Sequence, residues 1–420
     1  MGQAGAGDNW AGNYHYGARV VHRPQTVEEV QALVSVAPRI RALGTRHSFT
    51  GIADSTALIS LAELDSEIAI DGTAGLVTVP AGMTYAELSA ALNSAGWALA
   101  NLASLPHISV AGAVATATHG SGDAKGNLAT SVVALELVTA DGELLRTERG
   151  DADFPGLVVG LGAFGVVTRV TLAVEQYYEI SQRVYEGLPW ETLLAQLDEI
   201  AAAGESVSVF HGAGDRTEQL WVKRRVRDGD PAVPDELFGA RAATAARNPV
   251  PGAEPANCTE QLGVPGAWSD RLPHFRSGFT PSFGEEIQTE LLVAREHARA
   301  AIEAMLTLSD QIRPLLLVGE LRTIAADELW LSPEYGQATL GLHFSWHRRP
   351  DEVRRAMGAL EQALAPFGAR PHWGKLFTAS ANEIAPLYPR MRDFLALRER
   401  LDPHGVFVND WLQTHVLGTA

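Results

Sequence analysis

Residues 39–49 read Arg-Ile-Arg-Ala-Leu-Gly-Thr-Arg-His-Ser-Phe, a short strand that runs straight into a glycine and then a histidine. Arg39 to Leu43 carries the strand, and Gly44 breaks it. The helix in front is equally legible. Thr26 and Glu29 have capping-box spacing, and Val27, Val30, Leu33 and Val34 form an apolar stripe. A strand ending in Gly-Thr-Arg presents successive backbone N–H groups able to hold phosphate oxygens. A neutral imidazole at His47 is then a nucleophile aimed at whatever the loop grips. Taken alone, these few residues read more simply as a histidine on a surface loop, because short motifs are weak.

A second segment changes that balance. Residues 103–122 are dominated by small side chains, which let the backbone approach a ligand closely. Ser104, Ser109, Thr116 and Thr118 add hydroxyls, and Gly112 and Gly120 permit unusual dihedrals. A small-residue helix packed on a sheet accounts for one such segment. Two of them are harder to explain as packing alone.

Composition narrows the classes. A chain of 420 residues is long enough for two or more domains, or for one large α/β body with an insertion. At 46% hydrophobic it can bury a substantial core. Its formal charge, 33 minus 50 or −17, repels a phosphate backbone, so nucleic acid is not an expected partner. Cys258 is the only cysteine, which excludes an internal disulfide and a thiolate metal cage. The histidines show no His-x-x-x-His pair with a nearby carboxylate on a predicted helix, so no metal is expected. No basic segment followed by an apolar run opens the chain, and no stretch approaches the ~18 apolar residues of a membrane span. A cytoplasmic monomer is the expectation.

Three parts are expected: 1–175, 176–374 and 375–420. In the first, Thr84 and Glu87 form another capping box before an apolar helix face at Leu88, Ala91 and Leu92. Val132–Thr139, Asp141-Gly142 and Glu143–Thr147 read as a β-hairpin, and Val166–Val174 as a strand. No Gly-x-Gly-x-x-Gly follows a strand, so a Rossmann fold is unsupported. The second part begins with a helix over Glu191–Ala203 and strands near Val207–Phe210 and Leu220–Lys223. A proline-rich irregular excursion covers Asp228–Trp268. Then come helix Arg295–Leu306, strands Leu315–Thr323 and Thr339–Trp346, and helix Asp351–Leu364. Strands covered by helices on one side suggest an α+β substrate domain.

Strand periodicity supplies a site. Glu320 and Arg322 are two apart, so both face one side, and the same holds for His343 with Ser345 and Gln288 with Glu290. Buried polar groups without partners cost about 1–3 kcal/mol each. These faces therefore look at solvent or line a polar pocket. Three such pairs favour a pocket, and its donors and acceptors suit a polyhydroxylated ligand. Lys375 after His372-Trp373-Gly374 would ordinarily be a solvated lysine, and His107 and His119 are read as structural hydrogen-bonding groups.

The loop at Gly44–Phe49 and the run Ser104–Gly122 together resemble the vanillyl-alcohol-oxidase type of flavoprotein. Asn9-Trp10-Ala11-Gly12-Asn13, Gly162–Thr168 and Asp402–Asn409 look like its aldonolactone and alditol oxidase branch. Asn257–Gln261, Glu320–Arg322 and His372–Lys375 look like its alditol-oxidising members. The resemblance implies a two-domain α+β fold of the PCMH type: an FAD-binding domain, an antiparallel-sheet substrate domain covered by helices, and a tail that returns to the first. It implies FAD bonded covalently to His47. Further FAD contacts would come from Ala42, Leu43, Gly44, Thr45, Arg46, Ser48, Ser104, Ser109, Gly112, Ala113, Val114, Ala115, Val167 and His372.

The implied reaction is oxidation of a terminal alditol hydroxyl to the aldose, with O2 reduced to H2O2. Arg322 and Lys375 would stabilise the developing alkoxide. Glu320 would bind the next hydroxyl, and Ser104, Gln288, His343 and Ser345 the rest. The family usually carries Thr where this chain has Ser345, which keeps the hydroxyl but opens chain-length preference. Ala103 stands near the expected flavin edge, where a small side chain suits O2 access. Arg322 is expected to lower the Lys375 pKa, with Glu320 opposing. An aldonolactone oxidase or dehydrogenase is the alternative within the class, and a non-catalytic flavin- or sugar-binding protein the alternative outside it.

Overall fold

The computed structural model describes residues 5–64, 67–229, 233–279 and 286–418. Strands β1 (Val20–His22), β2 (Arg41–Leu43) and β3 (Ala57–Ser60) form a parallel sheet in the order β1-β3-β2. Helix α1 (Val27–Val36) connects β1 to β2. Thr26 Oγ1 accepts the Glu29 N–H, but the Glu29 carboxylate takes the N–H of Gln25, one residue before the expected partner. The second sheet is antiparallel. It holds β4 (Ala69–Asp71), β5 (Leu76–Pro80), β6 (Val132–Val138), β7 (Leu144–Glu148) and β8 (Val166–Ala173), in the order β4-β5-β8-β6-β7. Helices α2 (Tyr85–Ser94), with a complete Thr84–Glu87 capping box, and α3 (Val110–Ala115) pack their apolar sides into this core.

The largest sheet is antiparallel throughout its main strands. These are β9 (Glu179–Glu186), β10 (Ser206–His211), β11 (Gln219–Arg225), β12 (Ile287–Ala294), β13 (Leu316–Ile324) and β14 (Thr339–Trp346). They run in the order β9-β11-β10-β13-β14-β12. Alternation gives the sheet two different faces. Leu291, Val293, Leu321, Leu342, Phe344 and Trp346 pack in one cluster with the apolar stripes of α4 (Ala298–Leu306) and α5 (Pro350–Leu364). Burying each of those side chains stabilises the fold by about 1.5–3 kcal/mol. The opposite face carries the polar pairs at 288 and 290, 320 and 322, and 343 and 345.

Two expected elements differ in detail. The helix over 191–203 is interrupted at Gln196, giving Trp190–Ala195 and Leu197–Ala201. The excursion at 228–268 contains short pairings at Glu236–Leu237, Ala240–Ala242 and Gly266–Ala267, while 230–232 lie outside the described residues. Beyond 375 the chain lies against the N-terminal sheets. Helix α6 (Met391–Leu401) contributes Phe394 and Leu397 to the core that also holds α2 and α3. Asn409 Nδ2 donates to the carbonyls of Gly51, Ile52 and Asp54, and buried Arg41 donates to Phe407 and Leu161. Among the described residues no helix is long and apolar enough to cross a membrane.

Candidate active site

One cleft is bordered by every residue singled out from the sequence as a cofactor or substrate contact, from Ala42 to Lys375. Its first stretch is built by the His47 loop. Gly44 allows close approach there: a Cβ on it would lie 2.6 Å from Ser109 Oγ, where the loop meets the N-terminus of α3. Thr45 Oγ1 ties the two segments by accepting the Ser109 N–H at 3.2 Å, and it contacts His47 Nδ1 at 3.0 Å. Arg46 holds a left-handed φ of 63°, and its guanidinium donates to Ala6 O at 2.8 Å. Such strain persists only where the surroundings over-determine it, and it clusters at ligand sites. Trp10 stacks on the His47 ring at 5.5 Å. Ser48 Oγ and the Phe49 N–H both donate to Gly374 O, which fixes the loop beside Lys375. Burial, with His107 adding, pushes His47 down to about 4, so its imidazole is neutral at pH 7.

The second stretch is built by strand register. Glu290 on β12 lies opposite His343 on β14, and His343 lies opposite Glu320 on β13. Gln288 and Ser345 face each other one step along. Arg322 is opposite Gly341, where a Cβ would come within 2.9 Å of Glu290 Oε1. The missing side chain leaves room for the Arg322 Nη2–Glu290 Oε1 bridge at 3.2 Å. Arg322 also lies 3.4 Å from Glu320 Oε1 through Nε and donates from Nη1 to Ser104 Oγ at 3.3 Å. Lys375 Nζ sits 2.5 Å from Glu290 Oε2 and 2.6 Å from His343 Nδ1, and His343 Nε2 is 3.2 Å from Ser345 Oγ. Gln288 Nε2 donates to Glu286 Oε1 at 2.9 Å.

These charges are buried, Lys375 partly so, and their ionisation follows from one another. Burial pushes the Glu290 carboxyl up, but Lys375, His119 and Arg322 outweigh it and hold it well below its ordinary value. Glu320 is likewise lowered against burial, by Arg322 and His274. Arg322 is raised despite burial, by Glu320 and Glu290. His343 is pushed to about 4 by burial and by Lys375. The Lys375 expectation needs correction. Its pKa is lowered, but burial is the main cause and Arg322 only adds to it. The carboxylate that chiefly opposes the shift is Glu290, in direct contact, with Glu320 weaker.

Sequence reasoning missed three participants. Glu290 was visible as the partner of Gln288 in strand parity, yet its place as common counter-ion depends on sheet order. His119, read as structural, has Nε2 3.2 Å from Glu290 Oε1. His274 comes from just beyond the irregular excursion, where no periodicity points to it, and its Nε2 is 2.9 Å from Glu320 Oε1. His119, Glu290 and His372 also bring three ligand-type atoms within 4.8 Å of one another. Two of Glu290's contacts are already cations, Lys375 and Arg322, which a metal ion would have to displace.

The cleft suits FAD. Glycine, alanine, serine and threonine line the loop stretch, so backbone is within reach of a pyrophosphate and a flat ring. Valine and leucine side chains, among them Val167, Leu135 and Leu137, border it as well. A neutral histidine and a charged cluster lie in the same cleft. Fold and cleft together define an FAD-dependent oxidoreductase with the vanillyl-alcohol-oxidase type of architecture. A family model described as an FAD binding domain matches residues 18–148, and one described as D-arabinono-1,4-lactone oxidase matches residues 286–415. An alditol oxidase from Streptomyces sp. is 47% identical over 412 residues, covering 96% of this chain and 97% of that protein. An L-gulono-1,4-lactone dehydrogenase from Mycobacterium tuberculosis is 28% identical, covering 98% of each. A crystal structure of cholesterol oxidase from B. sterolicum superposes with a TM-score of 0.77 at 16% identity, over 98% of this chain and 96% of that one, which bears on fold alone. The chain belongs to the alditol oxidase family, within the aldonolactone oxidases.

Proposed function

We propose that this enzyme oxidises the terminal primary alcohol of an alditol such as xylitol or sorbitol to the aldose. On this reading residues 1–175 and 375–420 hold FAD, 176–374 is the substrate domain that supplies most of the polyol contacts, and the enzyme works as a cytoplasmic monomer. The observation that carries the reading is the array of Arg322, Lys375, Glu320, His343 and Ser345, a concentration of hydrogen-bonding groups that borders the cleft beside the His47 loop. FAD, when bound, supplies the two-electron acceptor, and O2 takes the electrons on to H2O2. The chain's own groups manage the substrate. Arg322 and Lys375 hold the reacting oxygen and favour its alkoxide. Glu320, kept ionised, accepts a hydrogen bond from the neighbouring hydroxyl. Ser104, Gln288 and Ser345 read the remaining hydroxyls, and His343 braces Lys375.

Steady-state oxygen uptake and peroxide release across polyols and aldonolactones test this. Turnover of lactones with none of polyols would return the enzyme to the lactone oxidases, and no turnover of either would make it a binder. We further propose a covalent bond from a His47 ring nitrogen to a flavin carbon, with a C–H bond of the flavin broken and the two protons and two electrons released passing to O2, since a neutral, partly buried imidazole is a competent nucleophile. Acid-precipitated protein should stay yellow, and a tryptic peptide containing His47 should carry the added mass. His47→Ala should release its flavin on precipitation and turn over more slowly.

Lys375 has two possible tasks that a pH profile separates. As a base it must lose its proton, so kcat/KM should rise with pH, with an apparent pKa below the ~10.4 of free lysine. Arginine cannot deprotonate, so Lys375→Arg abolishes that rise. As a fixed charge, Lys375→Arg keeps far more rate than Lys375→Met. We favour the fixed charge, because Glu290 Oε2 at 2.5 Å stabilises the ammonium. Equal, near-wild-type rates for both variants exclude both tasks.

A further inference from the structure

One buried lysine has no task in this chemistry. Lys223 on β11 is 1% exposed and lies on the pocket side of the sheet. Its Nζ reaches three acceptors: Leu272 O, Pro273 O at 3.2 Å and His274 Nδ1 at 3.1 Å. An ammonium has three donors and no acceptor, so this set uses it fully. The imidazole continues the chain to Glu320 through the 2.9 Å contact of Nε2. A carboxylate only accepts, so Nε2 carries the proton. Nδ1 then presents a lone pair, which is what the lysine requires. Phe210 and Trp221 pack edge-on against the ring at 5.4 and 5.3 Å and hold its plane. Packing alone does not call for this arrangement. Burying an amine costs free energy that a methionine of similar length would avoid.

We propose that Lys223 is a positioning residue for polyol recognition: by donating to His274 Nδ1 it selects the Nε2–H tautomer, which keeps Glu320 an oriented, ionised acceptor for a substrate hydroxyl. The proposal rests on the reading of Glu320 as a hydroxyl-binding group. The tautomer of a histidine is set by the bond its other nitrogen makes, and here that bond comes from Lys223. Burial brings Lys223 down to about 7 and His274 to about 4, so the imidazole is neutral near pH 7, and the lysine still has N–H to donate when neutral. The charged and titratable groups that act on Lys223 are Glu320, Arg322 and Cys258, in addition to His274 itself. Without the lysine, Glu320 alone favours the Nε2–H tautomer, and the fraction of rings protonated at Nδ1 rises, which sets two lone pairs against each other between Nε2 and Glu320.

The test is made on the FAD-loaded, full-length protein. Nitrogen-15 NMR of labelled histidines assigns His274 by its absence in His274→Gln. Wild type should show Nε2 protonated and Nδ1 bare, and Lys223→Met should show protonation moved to Nδ1 or mixed. Lys223→Met should raise KM for the polyol by about tenfold and change kcat by less than about threefold. Adding His274→Gln should remove most of that rise, because an amide N–H donates to Glu320 with no tautomer to choose. A wild-type ring protonated on Nδ1 overturns the proposal outright, as does an unchanged KM in Lys223→Met. If that variant fails to fold, His274→Gln and His274→Leu decide: similar KM values for both overturn the proposal, and a rise for leucine alone supports it. Absence of polyol turnover in wild type overturns the substrate reading instead, and the substrate-free tautomer spectrum still decides whether Lys223 sets His274.

Discussion

Arg322→Ala lowers kcat/KM on the preferred polyol by about 10²-fold or more, with most of the loss in kcat, because a preorganised cation facing developing oxyanion charge acts chiefly in the transition state. The guanidinium is suited to that task. It is buried, and its Nε and Nη2 face Glu320 and Glu290, while Nη1 reaches Ser104 Oγ. Little reorganisation is needed when substrate enters. Arg322→Lys keeps the charge but loses the fork that spans both carboxylates, so it should recover only part of the rate. Steady-state kinetics normalised to bound flavin measures this. A variant that raises KM and leaves kcat intact would return Arg322 to ordinary substrate binding.

Glu290→Gln has the largest expected effect on stability. Arg322 and Lys375 share this carboxylate, and removing it leaves a buried guanidinium and a partly buried ammonium with Glu320 as the remaining nearby anion. Breaking a buried pair by deleting one partner costs about 3–5 kcal/mol. The urea midpoint at pH 7 should fall accordingly. The pH dependence carries a definite sign. Glu290 titrates well below its ordinary value in the folded protein, so its contribution is complete above the carboxylate range of the unfolded chain. That contribution is lost as pH falls from about 4.3 through the folded value. The gap between wild type and Glu290→Gln should therefore be constant from pH 7 to about 5 and narrow below that range. Equal midpoints at pH 7 would show that Glu290 is no essential counter-ion.

How far the sequence could be read depended on the kind of constraint. The His47 loop was legible because a glycine interrupts a strand, a local event. Glu320 with Arg322, and His343 with Ser345, were legible because alternation fixes the face of each side chain whatever the sheet order. What alternation cannot give is which strands are neighbours. The order β13-β14-β12 is what sets Glu290, His343 and Glu320 side by side, and so the carboxylate opposing Lys375 was misjudged. His274 and Lys223 were out of reach for different reasons. One lies beyond an irregular segment without a period, and the other is an unremarkable lysine in a strand. The interruption at Gln196 was equally invisible in an apolar pattern that runs through it.

The two-faced sheet has a consequence for how such an enzyme changes over evolutionary time. Odd and even positions of β12, and likewise of β14, answer to separate selection. Phe344 and Trp346 answer to the helices, while His343 and Ser345 face the cleft. On the proposed assignment of Gln288 and Ser345 to polyol hydroxyls, point substitutions at 288 or 345 retune which polyol fits while the helix-packed layer keeps its sequence. A one-residue insertion inside either strand has the opposite character, because it exchanges the two sets at once and loses fold and chemistry together. Natural variants with altered substrate range should accordingly differ by substitutions of fixed parity within these strands, and by length only in the segments that connect them.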